Sequence, residues 1–154
     1  MSMKKIVMVC LGNICRSPLA EGILQSKLAS DKFYVDSAGT AGYHVGELPD
    51  RRSIEVAKKY GVDITNQRSR KFIKEDFDKF DVIFAMDKSN YDAIIEMSEN
   101  NTQREKVKMI LNELYPKENM SVPDPYYGGD QGFENVYQML DEACSIIASK
   151  LENE

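Results

Sequence analysis

Residues 6–18 read Ile-Val-Met-Val-Cys-Leu-Gly-Asn-Ile-Cys-Arg-Ser-Pro. The run Lys5–Val9 is short, apolar and β-branched, the pattern of a buried strand. Ser17-Pro18 reads as a helix start, with serine as N-cap and proline at the first helical position. Cys10, five intervening residues and Arg16 lie between the two. Strand, tight turn and helix in immediate succession are the opening of a βαβ unit. Its turn falls at the carboxyl end of a strand, where ligands bind in parallel α/β sheets.

Further elements extend the alternation. Leu19, Ile23 and Leu28 give the first helix, over 18–30, an apolar stripe. Phe33–Asp36 reads as a second strand, and 37–49 as a loop with Gly39, Gly42, Gly46 and Pro49. Asp50 caps a helix ending near Tyr60, with Gly61 as its stop signal. A short helix over Lys74–Phe80, a strand over Val82–Met86, a helix capped by Asp87 and a fourth strand over Val107–Leu111 follow. A turn-rich segment leads from Pro116 to Gly132. The last helix, from about Gln131 to Leu151, carries Phe133, Val136, Tyr137, Leu140, Cys144, Ile147 and Leu151 at helical spacing. The expected architecture is α/β: one domain over 1–154, a three-layer sandwich with a four-stranded parallel sheet flanked by helices, Rossmann-like in plan.

Composition narrows the function classes. The formal net charge is -5 and charged residues make up 29% of the chain. Such acidity argues against nucleic acid as a partner, since that footprint is basic. Residues 6–11 are too short an apolar run for a signal peptide, and no stretch approaches the ~20 residues of a membrane span. Three cysteines, an odd number, in a chain large enough to fold without bridges point to a reducing, cytoplasmic setting and to chemical use of thiols. His44 is the only histidine, with no Cys/His cluster around it, so neither a metal site nor a cofactor is expected.

The segment 10–18 meets the needs of thiol attack on phosphorus. A thiol at a helix N-terminus beside an arginine is activated as thiolate. Loop peptide N–H groups, with Leu11, Gly12, Asn13, Ile14 and Cys15 between the two key residues, converge as a nest for phosphoryl oxygens. The helix dipole adds positive potential there. Gly12 eases the turn. The Arg16 fork meets two oxygens at once, which lysine does not match. The competing interpretation is a buried structural cysteine beside a solvent-facing arginine. The strand before the segment and the helix start after it favour the chemical one.

The stretch Val9–Gly22, VCLGNICRSPLAEG, strongly resembles the signature of the low-molecular-weight protein tyrosine phosphatases. The resemblance continues in Asp36–Thr40, Lys74–Phe77, Ala85–Asp87 and Asp124–Tyr127, in family order across nearly the whole chain. It implies the phosphotyrosine phosphatase I fold and hydrolysis of phosphotyrosine and other aryl phosphates through a phosphocysteine on Cys10. It also implies phosphotyrosine-containing proteins as partners, inorganic phosphate or oxyanion inhibitors in the loop, and a monomer. Asp124, between two prolines, by itself reads as a turn residue; the resemblance makes it the general acid. Tyr126 and Tyr127, with Tyr43 opposite, are implied as aromatic walls of the cleft, although by pattern they equally pack a loop. The resemblance also implies that Asn13 and Ser37 pin the loop and that Ser17 stabilises the leaving thiolate. Many members carry a histidine, bonded to the loop asparagine, where this chain has Gln67. Cys15 corresponds to a resolving thiol for oxidised Cys10. Cys144, on the last helix's stripe, reads as core.

Four rivals have discriminating residues. An arsenate reductase on this fold needs further cysteines after the third strand, and residues 81–106 contain none. A protein-arginine phosphatase carries threonine where Ile14 stands. A non-catalytic phosphoprotein-binding module, or a phosphocarrier, needs no general acid.

Overall fold

The structure, a computed structural model, describes residues 3–154, apart from the side chains of Tyr127 and Asp130. Four strands, β1 (Lys4–Cys10), β2 (Phe33–Gly39), β3 (Val82–Ala85) and β4 (Val107–Met109), form one sheet in the order β2-β1-β3-β4. All pairings are parallel, and Cys10 lies opposite Gly39 in the β1–β2 register. Among the described residues six α-helices accompany it: α1 (Arg16–Lys27), α2 (Arg51–Lys59), α3 (Asp76–Lys79), α4 (Lys88–Met97), α5 (Asn101–Glu105) and α6 (Gly129–Glu152).

β1 is the centre of the molecule because both of its faces are apolar. Ile6 and Met8 enter one cluster with Leu19, Ile23, Val136, Leu140 and Cys144 from α1 and α6. Val7 and Val9 enter another with Phe72, Phe77, Phe80 and Ile94 on the opposite side. These four β1 residues are fully inaccessible. Each such side chain contributes about 1.5–3 kcal/mol on burial, so this strand is the anchor for everything at its carboxyl end. The stripe expected on the last helix is the buried face of α6, from Phe133 to Leu151.

Element boundaries differ from expectation where tertiary contacts outweigh local pattern. β2 runs on to Gly39, because Ser37 and Ala38 are buried against β1 and pair with Met8 and Val9. β4 stops at Met109, two residues early. Ile110 and Leu111 both bury into the same cluster, whereas consecutive strand residues point to opposite faces; the chain turns as a 3-10 helix over Ile110–Glu113 instead. α5 has no buried residue, so no apolar periodicity marked it. α1 begins at Arg16, with Cys15 at the cap position and no side-chain cap, and ends at Lys27. Ser17 is therefore not the N-cap. Pro18 remains in the first turn, where backbone N–H groups lack helical partners in any case. Asp50 and Asp87 are caps as expected, accepting from Arg52 N and Asn90 N, and Gly61 follows α2 at φ 81°.

Candidate active site

The loop from Cys10 to Arg16 wraps back over the end of β1. Asn13 stands in the left-handed region at φ 56°, a conformation asparagine tolerates better than most residues. Its backbone N–H points to Cys10 Sγ at 3.3 Å, and Ser17 Oγ lies 3.0 Å from the same sulfur. The Asn13 side chain donates through Nδ2 to Ser17 Oγ and Ser37 Oγ, both at 2.9 Å. Its Oδ1 accepts from Arg70 N at 3.0 Å. Asn13, Ser17 and Ser37 are each less than 5% exposed. One buried amide thus ties the loop to α1, β2 and the segment before α3, and the left-handed residue is held by its own side chain.

Neighbouring backbone completes the support. Leu11 O accepts from Ala41 N, Cys10 O from Thr40 N and Ile14 O from Asp50 N. Ser69 Oγ donates to Gly12 O at 3.1 Å. A Cβ on Gly39 would stand 2.7 Å from Leu11 O and 3.0 Å from Ala41 O. These are backbone atoms that a hydrogen-bonded loop does not readily yield. Gly39→Ala is expected to destabilise the fold by about 1–3 kcal/mol and to lower activity with it. Chemical denaturation checks this, and an unchanged midpoint would contradict the close approach.

Arg16 is buried, at 7% exposure. Its Nη1 donates to Asp87 Oδ2 at 2.7 Å and to Val122 O at 3.0 Å. Among the described residues Nε and Nη2 make no hydrogen bond, which leaves that edge of the fork for an anion in the loop. Asp87 divides its oxygens: Oδ1 caps α4 and Oδ2 orients Arg16. Val122 N in turn donates to Met86 O at 2.8 Å. The end of β3 therefore holds the segment that carries Asp124, two residues beyond the carbonyl that binds Arg16. Asp124 is exposed, and its Oδ1 accepts from Tyr126 N at 3.0 Å, capping the 3-10 turn Pro125–Gly128. Gly132 lets α6 pass close to this turn, since a Cβ there would meet Pro125 O at 2.6 Å.

Around the loop, Leu11 is half exposed and Ile14 is partly buried against the α1–α6 cluster. Tyr126 donates to Asp50 Oδ2 at 2.8 Å, and its ring lies beneath the Arg52 guanidinium at 4.7 Å. Burial and the Asp50 bond push the Tyr126 hydroxyl well above the usual tyrosine range. Tyr43 is 78% exposed. The side chain of Tyr127 lies outside the described residues. Cys15 is buried, and loss of hydration, with Asp50 and Cys10 adding repulsion, pushes its thiol up to about 12. Cys10, Cys15 and Cys144 are all free thiols.

Gln67 does not take the expected place. Its Nε2 donates to Pro18 O at 3.0 Å, and no bond to Asn13 forms; the backbone N–H of Arg70 serves the asparagine instead. Gln67 therefore braces the first turn of α1 rather than the loop amide. Residues unassigned from sequence also enter the site: Asp87 and Val122 as partners of Arg16, Glu21 on Ser37, Arg70 on Asn13, Ser69 on Gly12. His44 is half-buried, with its ring edge 3.1 Å from the position a Gly12 Cβ would take. Asp87 alone left a trace in the sequence, as a helix cap.

A buried thiol, a peptide loop and an oriented arginine at the carboxyl end of a parallel strand define a phosphoryl-transfer class of α/β protein. The family model for low molecular weight phosphotyrosine protein phosphatase matches residues 5–154. The human low molecular weight phosphotyrosine protein phosphatase is 38% identical, covering 96% of this chain and 95% of its own. A crystal structure of a protein tyrosine phosphatase from Entamoeba histolytica with Hepes in the active site superposes at a TM-score of 0.90, with 38% identity, over 99% of this chain and 98% of that one. Vibrio vulnificus Wzb in complex with benzylphosphonate gives a TM-score of 0.86 and 32% identity over 97% and 99%. The chain belongs to the low molecular weight phosphotyrosine protein phosphatase family, and is a protein-tyrosine phosphatase by class. Among the described residues no helix is long and apolar enough to cross a membrane.

Proposed function

We propose that this protein hydrolyses phosphotyrosine in proteins, and aryl phosphates in general, by two displacements at Cys10. The observation that carries the reading is Arg16, buried at the end of the loop that begins at Cys10 and held through Nη1 alone by Asp87 and Val122 O, with no hydrogen bond on Nε or Nη2 among the described residues. In the first step the sulfur attacks phosphorus. The phosphoryl oxygens spread their charge over the loop N–H groups of residues 11–15 and the Arg16 fork. Asp124 donates its proton to the departing phenolic oxygen, so that tyrosine leaves as the alcohol. In the second step Asp124 takes a proton from water, water attacks the phosphocysteine, and the sulfur departs with Ser17 Oγ, 3.0 Å away, donating to it.

Tyr126 and Tyr127, with the exposed Tyr43, flank an aromatic substrate in this reading. Ile14 presents an apolar surface, which favours phosphotyrosine over phosphoarginine. Hepes carries a sulfonate and benzylphosphonate a phosphonate on an aromatic arm, so the relatives' ligands support oxyanion binding in this loop. Cys15 is the proposed resolving thiol for oxidised Cys10. At about 12 its thiolate is scarce at neutral pH, so capture quickens as pH rises. In this reading the protein is a monomer with one domain over residues 1–154, working in a reducing cytoplasm without metal, cofactor, nucleic acid or membrane.

Asp124→Ala tests the assignment. For phenols of high pKa, turnover is expected to fall by about 10²-fold or more, the lower end of general acid catalysis. For good leaving groups the loss is smaller. An equal loss across a leaving-group series would remove Asp124 as the acid.

A further inference from the structure

A hydrogen-bond chain leaves the site on the side away from substrate. Cys10 Sγ meets Ser17 Oγ, Ser17 accepts from Asn13 Nδ2, the same amide donates to Ser37 Oγ, and Ser37 Oγ donates to Glu21 Oε1 at 2.7 Å. Glu21 lies on α1 one turn beyond Ser17, and nothing in the two displacements uses it. Its carboxylate takes the Ser37 hydrogen, while Arg70 N, donating to Asn13 Oδ1, turns Asn13 Nδ2 toward both serines. With the Ser37 hydrogen committed to Glu21, the Ser37 lone pairs face Asn13. With Asn13 donating to Ser17, the Ser17 hydrogen has two acceptors in reach, the sulfur at 3.0 Å and Ala38 O at 3.5 Å, and the sulfur is the nearer.

We propose that Glu21 is a positioning residue for the proposed phosphatase reaction, its ionised carboxylate orienting Ser37 and Asn13 so that Ser17 donates to the Cys10 sulfur. The inference rests on the two-step reading above and adds a group remote from substrate. The surroundings make this carboxylate responsive to pH. From β2, Asp36, Ser37 and the Tyr34 hydroxyl face it; from the segment before α3, Arg70 does. Arg70 is bound to Asp36 and Asp76, so its charge is largely spent on other carboxylates. Gln67, uncharged and turned to Pro18 O, adds no cation. Burial, opposed in part by the Ser37 bond, raises the Glu21 carboxyl from 4.5 to about 7. An ionised acceptor makes a hydrogen bond roughly twice as strong as a neutral one, and it polarises Ser37 as an acceptor for Asn13. The protonated carboxyl holds Ser37 less firmly and can itself donate to it, which turns the Ser37 hydrogen away.

Activity and stability then respond to Glu21 with opposite sign. The folded-state value lies above the unfolded one, so the chain takes up a proton on folding between about 4.5 and about 7. That stabilisation is complete at low pH and is lost as pH rises through about 7. The ionised form that orients the loop is thus the form that costs stability.

The test is the pH dependence of kcat for p-nitrophenyl phosphate in the wild type and in Glu21→Gln, whose amide mimics the neutral acid. The wild-type to variant ratio of kcat is expected to rise about fivefold from pH 5.5 to 8.5, as a charge-assisted bond replaces a neutral one. KM is expected to move little, and the thermal midpoint of the variant to gain on the wild type over the same range. A ratio flat with pH, in an active wild type, would overturn the role of Glu21 and leave the phosphatase reading standing. A wild type without aryl phosphatase activity would overturn that reading instead. Ser37→Ala guards against a folding defect in Glu21→Gln: it cuts the chain but keeps the acid, so its pH-dependent stability is expected to persist while the pH-dependent kcat ratio to Glu21→Gln is lost. Retention of that ratio would sink the relay.

Discussion

Cys10→Ser is expected to abolish turnover of p-nitrophenyl phosphate, by more than about 10⁴-fold, while phosphotyrosine peptides remain bound. A hydroxyl is a far weaker nucleophile than a thiolate at neutral pH, and the other thiol of the loop, Cys15, is pushed up to about 12 and stays protonated there. The Cys10 side chain already sits between two hydrogen-bonding groups, Ser17 Oγ and Asn13 N, so a serine oxygen fits the same pocket and the loop keeps its shape. Stability is expected to change by no more than about 1 kcal/mol. Burst and steady-state kinetics, with peptide binding measured alongside, separate lost chemistry from lost folding. Turnover that persisted in Cys10→Ser would remove the covalent route altogether. The same variant, used as a trap in a lysate, is the direct way to the physiological phosphoprotein.

Arg16→Lys is expected to lower kcat/KM by about 10³-fold, although the charge is kept. One lost transition-state donor in a preorganised site costs about 10²–10³, and lysine loses more than one. Its ammonium is a point charge, without the planar fork that spans two phosphoryl oxygens. It also leaves Asp87 Oδ2 or Val122 O short of a donor, because Arg16 Nη1 serves both. Inorganic phosphate, as a competitive inhibitor, is expected to weaken in parallel. A lysine variant within tenfold of wild type would show that charge alone suffices, and that the fork geometry built by Asp87 and Val122 is incidental.

The two variants fall on residues of different legibility. Cys10 and Arg16 are six positions apart in the chain, and a strand before them with a helix after them fixes their relation locally. Pattern sufficed there. It misplaced the helix start by two residues, because Ser17 spends its hydroxyl on the thiol network instead of on the cap. Gln67 was a misleading slot: the family resemblance placed it at Asn13, but its amide turns to the first turn of α1. The Arg70 backbone N–H that replaces it leaves no trace in sequence, since every residue but proline offers that donor. α5 was invisible for a related reason: it buries nothing, and Asn100 capping Gln103 N was its only local signal.

By itself, then, the sequence determined the alternation of strands and helices, the thiol loop and its place after β1, and the family to which the chain belongs. Those follow from interactions between near neighbours, where periodicity and spacing carry the physics. The tertiary structure alone decided which further groups hold that loop in working shape: Glu21 on Ser37, Ser69 and Arg70 behind the loop, Asp87 and Val122 on Arg16. These partners come from parts of the chain with up to about a hundred residues between them and are brought together by the parallel β2-β1-β3 register. A buried polar atom requires a partner but does not specify where along the chain it comes from. Only packing makes that choice, and here it sets Glu21 at the end of the chain of bonds that begins at Cys10.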